Sequence, residues 1–191
     1  NSAGSLVQSQ NPLDMAINGN GFFAVSTPTG VAYTRAGNFM RNDKGQIVTA
    51  SGNVLLGQSS ISSGNANAAG IVIPSKATTV AIGSDGTVSY NLADATAPTQ
   101  ADQIAMINFV NPTGLASAGG GLYYETMSSG EAQIGVAGKE GFGSITQYYT
   151  EQSNVNVAEE LVSLIAAQRA YEITAKSVSA SDQILQKLGQ L

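Results

Sequence analysis

Gly21-Phe22-Phe23-Ala24-Val25-Ser26-Thr27-Pro28-Thr29-Gly30-Val31-Ala32-Tyr33-Thr34-Arg35 sets the grammar for most of the chain. Two runs rich in β-branched and aromatic residues flank a polar turn that ends in Gly, the pattern of an antiparallel hairpin. Alternation along Gly21–Ser26 sends successive side chains to opposite faces, so at least one of Phe22 and Phe23 is expected inside. Phe22, Phe23, Tyr33 and Phe39 are core candidates, with contacts to surrounding proteins as the rival reading.

The same wording repeats outward. Asn42-Asp43-Lys44-Gly45 and Gly83-Ser84-Asp85-Gly86 place Gly after a polar pair, where positive φ closes a type I turn with a bulge. Neither Asp43 nor Asp85 has the alternating carboxylates that a calcium loop needs. Further short apolar runs lie at Leu13–Asn18, Gln46–Thr49, Ile71–Ile73, Thr78–Ile82, Thr87–Asn91, Gln103–Phe109, Leu122–Thr126 and Ser144–Tyr149. From Leu13 to about Thr150 the chain therefore reads as all-β, interrupted by a small, polar, aperiodic insertion at 57–70.

Near Ser153 the period changes. Asn156 with Glu159 resembles a capping box, and no Gly or Pro follows until Gly189. The pattern predicts one long helix, Val157 to Gln190, about 50 Å at 1.5 Å per residue. Val157, Leu164, Tyr171, Val178 and Leu185 recur at sevens, flanked by Leu161, Ile165 and Leu188, which is a coiled-coil seam in want of a partner. The alternative is that the helix folds back onto the β-domain as core. The expected fold class is mainly β with a long C-terminal α-helix: an irregular antiparallel β-domain plus a coiled-coil-forming helix.

Composition narrows function. Only 11% of the 191 residues are charged while 42% are apolar, so Ser, Thr, Asn, Gln and Gly must cover the surface, which suits packing against copies of the same chain. The net charge of −5 and scattered Lys and Arg give no basic stripe for phosphates, so nucleic acid is not an expected partner. With no His and no Cys, Ser-His-Asp, Cys-His and zinc constellations are excluded. Asp14, Asp102, Glu125 and Glu131 are carboxylates that nothing in the sequence pairs. Gly19-Asn20-Gly21 and Gly119-Gly120-Gly121 lack the Lys-Ser/Thr that a phosphate loop carries. No enzyme activity, cofactor or metal is expected. The absence of any stretch of about 18 apolar residues argues against membrane insertion.

Two stretches carry a resemblance. Asn11-Pro12-Leu13-Asp14-Met15-Ala16-Ile17-Asn18-Gly19-Asn20-Gly21-Phe22-Phe23, followed by Tyr33-Thr34-Arg35-Ala36-Gly37-Asn38-Phe39, resembles the opening of the outer β-domain of bacterial flagellar rod and hook axial proteins. Ser153-Asn154-Val155-Asn156-Val157-Ala158-Glu159-Glu160-Leu161-Val162, then Gln168-Arg169-Ala170-Tyr171-Glu172 and Asp182-Gln183-Ile184-Leu185, is similar to that family's C-terminal helix. The wording Gln-Arg-Ala-Tyr-Glu resembles the distal-rod branch best.

The resemblance implies residues 1–12 as remnant of an N-terminal connecting segment, 13–140 as outer β-domain, 141–154 as connecting segment and 155–191 as the C-terminal helix of an inner tube. It implies a structural subunit of the distal rod, sent out by the flagellar export apparatus and polymerising into a hollow, periplasm-spanning shaft that transmits torque. Implied partners are copies of itself, neighbouring rod and hook proteins, and surrounding ring proteins. Val157, Leu161, Leu164, Ile165, Tyr171, Val178, Leu185 and Leu188 would be its helix-packing and assembly set. The family's N-terminal helix has no counterpart here, which reads as a truncated subunit. Tyr148 departs from the family, which commonly has Gly there; its ring would alter packing in the connecting layer or lie on a solvent face. The alternatives are a hook subunit or, outside the family, a surface adhesin or glycan-binding β-domain with a stalk helix.

Overall fold

The protein is described from a computed structural model, which covers residues 4–62, 70–93, 95, 97–152, 165, 168–170 and 172. It divides into two units, Asn1–Gln152 and Ser153–Leu191. Sixteen strands occur among the described residues, all in the first unit. In chain order they are β1 (Leu6–Gln8), β2 (Met15–Asn18), β3 (Phe22–Thr27), β4 (Gly30–Thr34), β5 (Phe39–Arg41), β6 (Ile47–Thr49), β7 (Val54–Leu55), β8 (Ala77–Ile82), β9 (Thr87–Leu92), β10 (Thr99–Gln103), β11 (Met106–Asn108), β12 (Ala116–Gly119), β13 (Leu122–Tyr124), β14 (Gln133–Gly135), β15 (Ser144–Gln147) and β16 (Tyr149–Glu151). The largest sheet runs β12-β13-β4-β3-β7-β6-β5, with β11 added to β3 and β14 added to β11. A β10-β9-β8 meander and two ribbons, β2 with β15 and β1 with β16, complete the unit.

β3 is the centre, and its sequence explains why. One edge pairs with β4 from Phe23↔Thr34 to Thr27↔Gly30. The other is shared, β11 taking Phe22 and Phe23 and β7 taking Val25 and Ser26. With both faces covered, alternation buries both phenylalanines in different places. Phe23 meets Phe39 edge-on at 5.3 Å beside Met15, Ile17, Ile47 and Leu55. Phe22 meets Phe109 and Tyr123, each at 6.0 Å, while Tyr33 lies 4.9 Å from Phe109. All four aromatic candidates are core, none more than 7% exposed, so the rival reading as outward contacts falls. Burial and the neighbouring Glu125 carboxylate push the Tyr33 phenol up.

The Gly-ended turns divide. Gly45 at φ 81° and Gly86 at φ 84° each donate back to the first turn residue, Asn42 and Gly83. They close the bulged type I turns expected of them. Thr49-Ala50-Ser51-Gly52 builds the same device, with Gly52 at φ 84° donating to Thr49. Thr27-Pro28-Thr29-Gly30 differs: Thr27 pairs directly with Gly30, leaving a two-residue loop. Thr29 is tied outward instead, its hydroxyl 2.8 Å from that of Tyr124.

The expected fold class requires correction. Among the described residues the chain is mainly β; in the first unit its helices are α1 (Gln58–Ser62) and a 3-10 turn at Pro112–Gly114, and no long helix and no coiled coil occurs among the described residues. The expected Val157–Gln190 helix falls outside the described residues apart from Ile165, Gln168, Arg169, Ala170 and Glu172, which are helical and exposed. A heptad pattern marks where an apolar stripe would lie, but a helix of that kind draws its stability from a surface that buries the stripe, which periodicity cannot supply.

One predicted strand, Ser144–Tyr149, is in fact two. β15 pairs with β2 and β16 pairs with β1, and the residue between them, Tyr148, sits at φ 65° with its ring 41% exposed. Its amide donates to the Asp14 carbonyl (2.8 Å) and its carbonyl accepts from the Ser9 amide (2.7 Å). The left-handed turn re-aims the backbone from one partner to the next, a conformation that crowds the Cβ of any residue but Gly. A glycine preference at this position thus follows from the backbone, and the exposed ring shows that tyrosine is accommodated on the solvent side.

Two outcomes follow for stability measured by chemical denaturation. Phe23→Ala should destabilise the first unit by about 3–5 kcal/mol, the usual loss for a fully buried ring. Tyr148→Gly should be more stable than Tyr148→Ala by about 1 kcal/mol, the reverse of the order in an ordinary strand; an alanine variant equal to or above the glycine one would refute left-handed strain at this residue.

Candidate functional site

The turn Asn11-Pro12-Leu13-Asp14 begins a junction that gathers both ends of the first unit. Asp14, 9% exposed, accepts from the Ser9 hydroxyl (2.5 Å) and from Asn11 Nδ2 (2.8 Å). Asn11 Nδ2 also donates to the Phe39 carbonyl at 3.1 Å, and Asn11 Oδ1 accepts from the Leu13 amide at 3.1 Å. The Asx side chains are thus bonded within and beside the turn and fix the entry to β2.

Arg35, just past β4, is the hub. Its Nη1 donates to the carbonyls of Gly19 (3.2 Å) and Gly21 (3.1 Å), and its Nη2 to those of Gly19 (3.1 Å) and Ile17 (3.4 Å). Its Nε donates to Glu151 Oε2 at 3.0 Å, with only 22% and 11% of the two side chains exposed. The other carboxylate oxygen of Glu151 accepts from the Gly4 amide at 2.7 Å. The guanidinium also stands 6.0 Å above the Phe22 ring. Its planar fork is spent on three backbone acceptors and one carboxylate, a set that a lysine cannot cover.

Close backbone approaches complete the junction. A Cβ at Gly37 would collide with the Met15 carbonyl, and the Met15 amide donates to the Gly37 carbonyl at 2.9 Å. At Gly143 a Cβ would stand 2.7 Å from the Asn18 carbonyl, while its amide donates to Asn20 at 2.7 Å. Gln147 bridges outward, its Nε2 donating to the Pro12 (2.7 Å) and Val80 (3.1 Å) carbonyls and its Oε1 accepting from the Ile82 amide (3.1 Å). The glycines and polar residues of the Asn11–Phe39 stretch are thus the fittings of a corner.

Nothing in this arrangement gathers reactive groups. Asp14 is spent on Ser9 and Asn11, Asp102 on Ser59 and the Gln103 amide, and Glu125 on the Ala132 amide. Among the described residues no cluster of three or more His, Cys, Asp or Glu could hold a metal, and no helix is long and apolar enough to cross a membrane.

Of the residues expected to pack in assembly, only Ile165 is described; it is helical and 49% exposed. Val157, Leu161, Leu164, Tyr171, Val178, Leu185 and Leu188 lie outside the described residues. Sequence reasoning missed Glu151 and the strand Leu6–Gln8. Arg35 and Glu151 are 116 residues apart, and three residues of strand leave no periodicity to detect.

Comparison with known proteins places the junction in context. Residues 16–90 match the model of the "Flagellar hook protein FlgE/F/G D1 domain", and residues 146–191 match that of the "Flagellar basal body rod FlgEFG protein C-terminal". Flagellar basal-body rod protein FlgG of Buchnera aphidicola subsp. Acyrthosiphon pisum is 46% identical over 189 residues, 98% of this chain and 68% of that protein. The FlgG of Caulobacter vibrioides is 42% identical over 189 residues, again 98% and 68%. Flagellar hook protein FlgE of Escherichia coli is 43% identical over 111 residues, 58% of this chain and 27% of that one. Aligned nearly end to end with these rod proteins, the chain belongs to the FlgG family of flagellar basal-body rod proteins, structural subunits of the basal-body rod.

Proposed function

We propose that the chain is a load-bearing subunit of the distal rod, polymerising with copies of itself into a hollow shaft that carries torque toward the hook. In this reading residues 13–140 are the outer β-domain, and residues 1–12 with 141–154 are the connecting segment through which force leaves it. Neighbouring rod and hook proteins meet the shaft end to end, surrounding ring proteins face its outside, and the chain has no catalytic role.

The observation that supports it is the Arg35–Glu151 clamp. A ribbon of two three-residue strands, β1 and β16, is marginal in water by itself. Here the clamp fastens it to the corner between β2 and β3 and to the Gly4 amide, with the Gln152 amide on the Ser5 carbonyl at 2.9 Å beyond. Bonds to charged groups contribute about 1.5–3 kcal/mol each, more than neutral ones. A subunit under shear needs such a fastening where its chain leaves the folded unit.

The apolar positions Val157, Leu161, Leu164, Ile165, Tyr171, Val178, Leu185 and Leu188 are the proposed contacts with neighbouring subunits. Their chemistry suits burial, and 155–191 contains no competing charge cluster large enough to keep them in water.

Glu151→Gln keeps the side-chain shape and removes the charge. The expected result is faster hydrogen exchange confined to the β1–β16 ribbon, assembled rods, and motility that fails first in viscous medium. A frayed ribbon with normal swimming under load would overturn the proposed force path. Separately, Leu164→Asp should block incorporation into rods while leaving unfolding of the first unit unchanged, and normal incorporation would remove the apolar set from the assembly interface.

A further inference from the structure

Two exposed apolar patches on the largest sheet are equipped differently. At the β5–β6 end, Met40 is 50% and Val72 40% exposed. Val72 is bridged to Gln46, and Arg41 Nη1 is tied to the Pro74 carbonyl at 3.2 Å, so this margin is held in shape. Its charges are mostly cationic: Arg41, Lys44 and Lys76 are all exposed, against Asp43 alone.

Away from that margin, the loops joining β11 to β12 and β13 to β14 form a tip that carries Val110, 77% exposed, and Met127, 103% exposed. The tip is rigid. Asn111 donates through its amide to the Ser129 carbonyl (3.1 Å) and through Nδ2 to that of Ser128 (3.0 Å). Thr126 Oγ1 donates to the Gly114 carbonyl (2.6 Å), and fully buried Ser129 donates through Oγ to the Thr126 carbonyl (2.8 Å). Its charges are anionic: Glu125 and Glu131 are exposed, and no Lys or Arg occurs between Lys76 and Lys139.

A loop that spends four hydrogen bonds on holding two apolar side chains in water is already ordered for contact, so docking loses little further entropy. Methionine, unbranched and polarisable, adapts to the surface it meets. The two patches match in apolar character and oppose in charge, which favours one orientation of approach. Because they are different patches of one sheet, joining them gives a heterologous contact, which propagates from copy to copy as an open series where the rotation does not close into a ring.

We propose that the Val110–Met127 tip of one copy of this chain seats on the Met40–Val72 margin of the next, with Glu131 and Glu125 facing Lys44, Lys76 and Arg41. The inference rests on the reading that copies of the chain assemble, and it names one contact by which they do so.

The chain has no cysteine, so introduced thiols report without background. Met127→Cys and Val72→Cys variants of the full chain are mixed and oxidised at rising protein concentration, with exposed Thr79→Cys paired against each as control. The expected product is a mixed disulfide between the two single variants, absent with the control, and a ladder of multimers from the double variant. Lys44→Glu should lower the yield several-fold, and Glu131→Lys on the partner copy should restore it. Met127→Cys linking to itself as readily as to Val72→Cys, or a control that links equally, would overturn the contact. Sedimentation of the unmodified chain separates the two levels: self-association without the 72–127 link rejects this contact and keeps assembly, whereas neither one rejects both.

Discussion

The guanidinium of Arg35 takes up the carbonyls of Ile17, Gly19 and Gly21 where β2 turns toward β3, and the same group holds Glu151 from the far end of the first unit. Both partners are largely withdrawn from water, so neither can lose the other without leaving a poorly solvated charge, a loss of roughly 3–5 kcal/mol for buried pairs and less for partly exposed ones. The junction therefore behaves as a single fastening. Corner, ribbon and the backbone of Gly4 are held by one side chain and its carboxylate.

That fastening works because the backbone around it comes unusually close. Gly37 lies against the Met15 carbonyl and Gly143 against Gly19, and at both places a Cβ would occupy the neighbour's backbone. Tyr148 supplies the remaining element, a left-handed residue between two strands that lets one length of chain serve β2 first and β1 next. Membership of a structural rod family fits such an economy: hydrogen bonds and close backbone contacts gather where the two ends of the first unit meet.

The surface is arranged by a different rule. With charged residues only 11% of the sequence, most outward positions neither attract nor repel strongly. Cations mark the β5–β6 margin and carboxylates the Val110–Met127 tip, each around exposed apolar side chains. A low-charge surface permits close packing of many kinds, while segregated charge selects among them.

Much of the interior was legible in the residues. Alternation placed Phe22 and Phe23, and Gly after a polar pair marked the turns at Gly45 and Gly86, because side-chain direction and positive φ are local properties of a strand or turn. Absence of His and Cys likewise excluded whole classes of chemistry without reference to shape. Strands of two or three residues such as Val54–Leu55, Gln133–Gly135 and Leu6–Gln8 were not legible, since their identity comes from the partner and not from a repeat within them. The heptad spacing beyond Val157 is limited for a related reason: a stripe of apolar residues specifies a face but not what covers it. By itself, then, the sequence determined an antiparallel β interior, its turns and the family wording. Only the tertiary structure decided that Arg35 meets Glu151, that Tyr148 must turn left-handed and that Met40 and Val72 share one exposed margin while Val110 and Met127 share a tip, because each depends on contacts between residues far apart in the chain, which no local pattern encodes.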